Sequence, residues 1–125
     1  MKTVVNTSDG SPIRLSAMRE TVNLLLAPER GALVQAVSGE ELATVADTVR
    51  GHLELLIPEV ERAARKLNEE SIPRCCALAC VGEARGKLRT GASHRPGGVF
   101  EHVQRLARVL NALCDHYETI GGEHA

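Results

Sequence analysis

The stretch RCCALAC, residues 74–80, places Cys75, Cys76 and Cys80 within six positions. Thiols that close can ligate a metal, exchange electrons, or simply fill a helix contact. Cys76 and Cys80 stand at i and i+4, one helical turn apart, so both could reach one ion if another helix supplied further ligands. Cys114, Asp115, His116 and His52 are the candidates for that. The C-x2-C knuckle of structural zinc sites is absent, and free cysteine is among the most buried residue types. Cys76, Cys80 and Cys114 are therefore a metal or thiol set on one reading and packing on the other. Cys75 lines up with Ala79, Gly82 and Gly86 at steps of 4, 3 and 4. Such a ridge of small side chains suits close approach of a neighbouring helix, and Cys75 and Cys114 are expected in the core.

Other catalytic patterns are missing. There is no G-x-S-x-G for a hydrolytic nucleophile, no HExxH or paired ExxH for a metal centre, and VGEARGK lacks the spacing of a phosphate cradle. No cofactor is expected. Asp115 and His116 are sequence neighbours and point about 100° apart on a helix, so they do not form a dyad. His52 falls at the edge of an apolar stripe, where a satisfied boundary histidine is the plainer reading.

These residues must be positioned by helices. SPIR offers Ser11 as an N-cap with Pro12 at the first helical position, ahead of Leu15, Met18, Val22, Leu25 and Leu26. Residues 28–37 read as a loop or one loose turn. SGEE is a capping box, Ser38 reaching forward and Glu41 back. A stripe from Leu42 to Leu67 then recurs at about 100° per residue. Pro58 lies opposite that stripe, which predicts a long, Pro-bent second helix and not a break. Ser71 caps a third helix with Pro73 in its first turn and an end near Leu88. RTGASHRPGG is a loop by composition. Val99, Val103, Leu106, Leu110, Leu113 and Tyr117 form a heptad-like seam on a fourth helix. The expectation is a single all-α domain over residues 1–125, a four-helix bundle-like architecture, with residues 1–10 and 121–125 as flexible termini.

Composition agrees. Aromatic residues are only Phe100 and Tyr117, so Leu, Val, Ile and Ala must fill the core, which favours packed helices over a β-sandwich. The net charge of -1 gives no general footprint for nucleic acid. No apolar run reaches the ~20 residues of a membrane span, and the N-terminus is no signal peptide. A cytoplasmic protein with reduced thiols is expected. Charge does segregate. Residues 74–108 carry seven basic and two acidic side chains, whereas residues 38–70 carry four basic and eight acidic. A basic face on the third and fourth helices suits a phosphate, an acidic partner or nucleic acid; a solvated bundle exterior is the plainer alternative.

Two stretches, VRGHLELLIPEVERAARKLNEESIPRCCALACVGEARGKL and RLARVLNALCDHYE, resemble a family of small actinobacterial proteins labelled "natural product biosynthesis protein", with a domain of unknown function. The resemblance covers a little under half of the chain and implies a setting in secondary metabolism, but no reaction. His52, Glu83, Arg85, Asp115 and His116 are the polar positions singled out for contact with a ligand or partner, on three helices and possible neighbours at one end of the bundle. The function expected is a non-catalytic accessory or regulatory module, a homodimer through an apolar helix face, binding protein or small ligand. The alternatives are a metal or redox sensor on Cys76 and Cys80, and a biosynthetic enzyme using His52, Glu83 or His116 as acid and base.

Overall fold

The computed structural model describes residues 13–26, 39–91 and 97–122. Four helices account for most of them: α1 (Leu15–Leu26), α2 (Gly39–Arg65), α3 (Ile72–Arg89) and α4 (Gly98–Tyr117), followed by a π-helical turn, Glu118–Gly122. Among the described residues there is no strand. The domain is all-α and bundle-like, as the periodicities predict. Ser11, Pro12, Ser38, the 28–37 segment and the tip of the third connection lie outside the described residues, but residues 13 and 14 are not helical, so α1 begins at Leu15 and not at Pro12.

Local chemistry sets the helix ends. The Ser71 hydroxyl accepts a hydrogen bond from the Arg74 amide at 3.2 Å, with Pro73 in the first turn of α3. That relieves one of the orphan donors every helix start carries. The reversal before it is held by Asn68, whose Oδ1 accepts from the Glu70 amide at 2.8 Å and whose carbonyl accepts from the Ser71 amide at 2.9 Å. α2 carries Glu40 and Glu41 in its first turn and Arg62 and Arg65 in its last, each sign at the end the helix dipole favours. It runs unbroken through Pro58. The carbonyl that Pro58 cannot serve belongs to Glu54, and both residues face solvent, so water can take the missing bond. Gly97 opens α4 from a left-handed conformation (φ 80°), which glycine adopts without steric cost.

α4 packs along each of the other three helices, whereas α1 touches α2 only slightly. Contacts fix the directions. Arg19 meets Asn111 and Glu118 while the Leu25 carbonyl meets Gln104, so α1 and α4 run antiparallel. Glu61 meets Arg85 while Arg50 meets Leu88, so α2 and α3 do too. The core is Met18, Leu25, Leu53, Leu56, Leu106, Leu110 and Leu113 with Val49, Val60, Val103 and Cys114, all essentially inaccessible. Each large aliphatic side chain so buried contributes about 1.5–3 kcal/mol.

Two expectations need correction. Cys75, Ala79 and Gly82 are exposed, not packed; a Cβ added at Gly82 would meet nothing within 4 Å. The inner face of α3 is Ala77, Cys80, Val81 and Ala84, nearly opposite on the helix. Val99 is also exposed, at 44 %, so the buried seam of α4 begins at Phe100 and widens to include His102, Ala107 and Val109.

Truncating Leu110 to Ala should cost about 2–5 kcal/mol, and Ser71→Ala about 1 kcal/mol. Urea unfolding followed by circular dichroism measures both. The Ser71 variant should shift the midpoint with the slope unchanged.

Candidate functional site

Several charged side chains brace one helix against another. Arg19, half-buried, donates to Asn111 Oδ1 and Glu118 Oε1 at 2.7 Å and lies 2.9 Å from Asp115 Oδ1, tying α1 to the end of α4. Glu61 accepts from Arg65 at 3.0 Å and from Arg85 at 2.8 Å, tying α2 to α3. Hydrogen bonds from Arg85 and then Arg65 hold the Glu61 carboxyl well below the usual range, at about 2. Arg50 Nη2 donates to the Leu88 carbonyl at 2.6 Å, supplying a cation at the C-terminal end of α3, where the dipole favours one.

The five polar positions singled out in the sequence are thereby distributed. Asp115 serves the α1–α4 clamp and Arg85 the α2–α3 one. His52 is half-buried, with Nε2 3.4 Å from Thr21 Oγ1. The Thr21 hydroxyl also donates to the Ala17 carbonyl at 3.2 Å. His116 is half-buried and forms no hydrogen bond among the described residues. Glu83 lies on the outer edge of α3, 3.9 Å from Lys87. No hydrogen bond or ion pair joins any two of the five among the described residues.

The thiols divide too. Cys76 is exposed, like Cys75, whereas Cys80 and Cys114 are buried. Burial, helped at Cys80 by Glu83, raises each buried thiol to about 11, and both stay protonated at neutral pH. Among the described residues no three His, Cys, Asp or Glu side chains are grouped to hold a metal ion.

One surface is left with cations to spare. Between α3 and α4 runs an open groove with two cavities that share part of their lining, of about 350 and 440 Å³. Glu83, Lys87 and Arg105 line both. Arg108, Val109 and Ala112 wall one end, and His102, Gly86, Thr90 and Gly91 the other. Arg105 and Arg108, three residues apart on α4, form no ion pair or hydrogen bond among the described residues. Of the basic side chains of α3 and α4, Lys87, Arg105 and Arg108 line this concave surface, whereas Arg74 and Arg89 do not and Arg85 turns to Glu61.

His102 was not singled out by sequence, yet it is the buried polar residue of the core, 8 % exposed. Its Nε2 is buried without a hydrogen-bond partner. Burial first, then Arg50, Arg105 and Lys87, lowers its pKa below 6.5. The ring is neutral at pH 7. Its signal in the sequence is a step of 4, 3 and 4 from His102 to Leu106, Val109 and Leu113, which puts a histidine on the apolar face.

What the groove can do follows from magnitudes. A unit charge about 4 Å from an opposite one gains about 1 kcal/mol in water and about 4 kcal/mol near a protein surface. An anion seated among Lys87, Arg105 and Arg108 collects several such terms. Opposing them are Glu83, one like charge already drawn to Lys87, and the C-terminal dipole of α3, worth about 0.3–1 kcal/mol and partly offset by Arg50. Attraction wins. For catalysis the groove lacks a nucleophile set beside a base and an orienting third group.

Two outcomes test this account. Ellman's reagent should titrate two thiols in the native protein, Cys75 and Cys76, and all four in guanidinium. His102 and His52 both have folded pKa values below 6.5, so the unfolded chain binds more protons as pH falls below 6.5, and stability drops there. Glu61 acts only lower, between 4.5 and about 2. In urea titrations from pH 7.5 to 5, His102→Leu should flatten the loss of stability.

No curated protein and no solved structure matches the chain. The model of a family of unknown function (DUF6415) matches residues 16–122. The match spans all four helices. The chain belongs to that family.

Proposed function

We propose that this member of a family of unknown function is a non-catalytic accessory or regulatory protein that acts by binding. The observation that carries this reading is the α3–α4 groove, where Arg105 and Arg108 form no ion pair among the described residues while the interhelical Arg19 and Arg85 are spent on bracing. A surface cation without a partner adds little to stability, as even exposed pairs are worth about 0–1 kcal/mol. Its use is then recognition of something outside the chain.

The resemblance to actinobacterial natural product biosynthesis proteins suggests the setting, specialised metabolism in a reducing cytoplasm, where four free cysteines are compatible with stable thiols. No helix among the described residues is long and apolar enough to cross a membrane. We further read the protein as a homodimer. Ile72 is 75 % exposed at the start of α3, and Cys75, Ala79 and Gly82 continue the same exposed side. A glycine inside a helix costs about 1 kcal/mol relative to Ala, and Gly82 recovers none of it by close packing within the chain. Approach of a second α3 would supply that contact.

Light scattering should give twice the 13.4 kDa chain mass, and Ala79→Glu should return it to the single-chain mass with helicity unchanged. A native mass spectrum of protein purified without chelator should show bare chains or an organic adduct. A monomer that carries no adduct and captures neither partner nor small ligand would remove the reading, and a bound metal would favour the cysteines.

A further inference from the structure

We infer that the α3–α4 groove is a site for the diphosphate group of a small organic molecule. The inference rests on the binding-module reading and names the chemistry of its ligand. Three features of the groove converge on it.

The first is the cations. Arg105 and Arg108 are three residues apart, ~4.5 Å along the axis, and Lys87 faces the same cavities from α3. Two guanidinium forks side by side match two neighbouring anionic groups better than one, because each fork pairs planar oxygens in a bidentate fashion. Glu83 is the single carboxylate lining either cavity, which leaves the wall positive.

The second is His102. A ring more than nine-tenths buried, its Nε2 without a hydrogen-bond partner, lines the cavity beside Arg105 and Thr90. Buried polar atoms are ordinarily satisfied. A ligand oxygen or its hydroxyl reaching this atom would satisfy it. The Thr90 hydroxyl donates to the Gly86 carbonyl at 2.9 Å, so it offers a diphosphate oxygen no proton and can only accept from the organic part.

The third is size and shape. Cavities of about 350 and 440 Å³ lie in the range of small-molecule sites. Val109 and Ala112 give the outer end an apolar wall, suited to the organic part of the ligand. Nucleic acid fits less well. Single strands are held on exposed aromatic platforms, but Phe100 is buried and Tyr117 half-buried, on a chain of net charge -1.

Isothermal titration of the full chain with inorganic pyrophosphate tests the site. Saturable binding of one pyrophosphate per chain is expected, at least tenfold weaker in the Arg105→Ala, Arg108→Ala double variant and unchanged in Arg62→Ala, which removes a cation from α2. Sulfate should bind at least tenfold more weakly. His102→Gln should lower pyrophosphate affinity by threefold or more while unfolding stays cooperative. No saturable binding, equal loss in Arg62→Ala, or equal affinity for sulfate would overturn the assignment. So would a twelve-nucleotide thymidine oligomer that displaces pyrophosphate and binds more tightly, since the groove would then be a nucleic-acid surface. The light-scattering mass is independent of all these outcomes, so the diphosphate assignment and the homodimer reading fail separately.

Discussion

Everything in this domain depends on α4 being packed on three sides. A helix that meets α1, α2 and α3 at once must bury far more than a two-per-heptad seam, and α4 does so with Phe100, His102, Val103, Leu106, Ala107, Val109, Leu110, Leu113 and Cys114. Only a narrow strip is left to solvent. Arg105 and Arg108 occupy it, and the same strip forms one wall of the groove. The cationic edge thus stands on the best-packed element of the fold, a rigid support of the kind a recognition site needs.

The remaining charges follow from that geometry. α1 is held mainly through α4, and one guanidinium, that of Arg19, answers an amide and two carboxylates at the junction with the π-helical turn. Across the domain Glu61 plays the converse part, one carboxylate answering two guanidinium groups. Both are clustered contacts, where geometry is over-determined and loss of one partner leaves others in place. The polar residues most conspicuous in the sequence, Asp115 and Arg85, are absorbed in this bracing. The less conspicuous Arg105 and Arg108 stay outside it.

Helix number, order and approximate ends were legible in the chain, because caps and periodicity are local signals. Ser71 with Pro73 marked the start of α3, and Cys114 belonged to an apolar stripe that is indeed buried. The facing of α3 was not legible. Its two opposite ridges, Cys75–Ala79–Gly82 and Ala77–Val81–Ala84, are both made of small side chains, so hydrophobic contrast could not say which one turns inward. Packing decided it, since Val81 and Cys80 fill space against the core that Gly82 would leave empty. His102 was missed for a related reason. A narrow seam through Val103 and Leu110 predicts two neighbouring helices, whereas a third neighbour extends burial around to the histidine.

The aliphatic core has a consequence for how such a domain can vary over evolutionary time. Leu, Val, Ile, Met, Ala and Cys differ by small volumes, and volume-conserving exchanges among them usually cost less than about 1.5 kcal/mol. An interior without stacked rings to keep in register offers many nearly equivalent solutions. For the diphosphate site proposed above the groove wall would offer few, because a lysine in place of Arg105 or Arg108 would keep the charge and lose the planar fork. Drift inside the core should therefore follow volume-conserving aliphatic exchanges, while the two arginines of the proposed site keep their type.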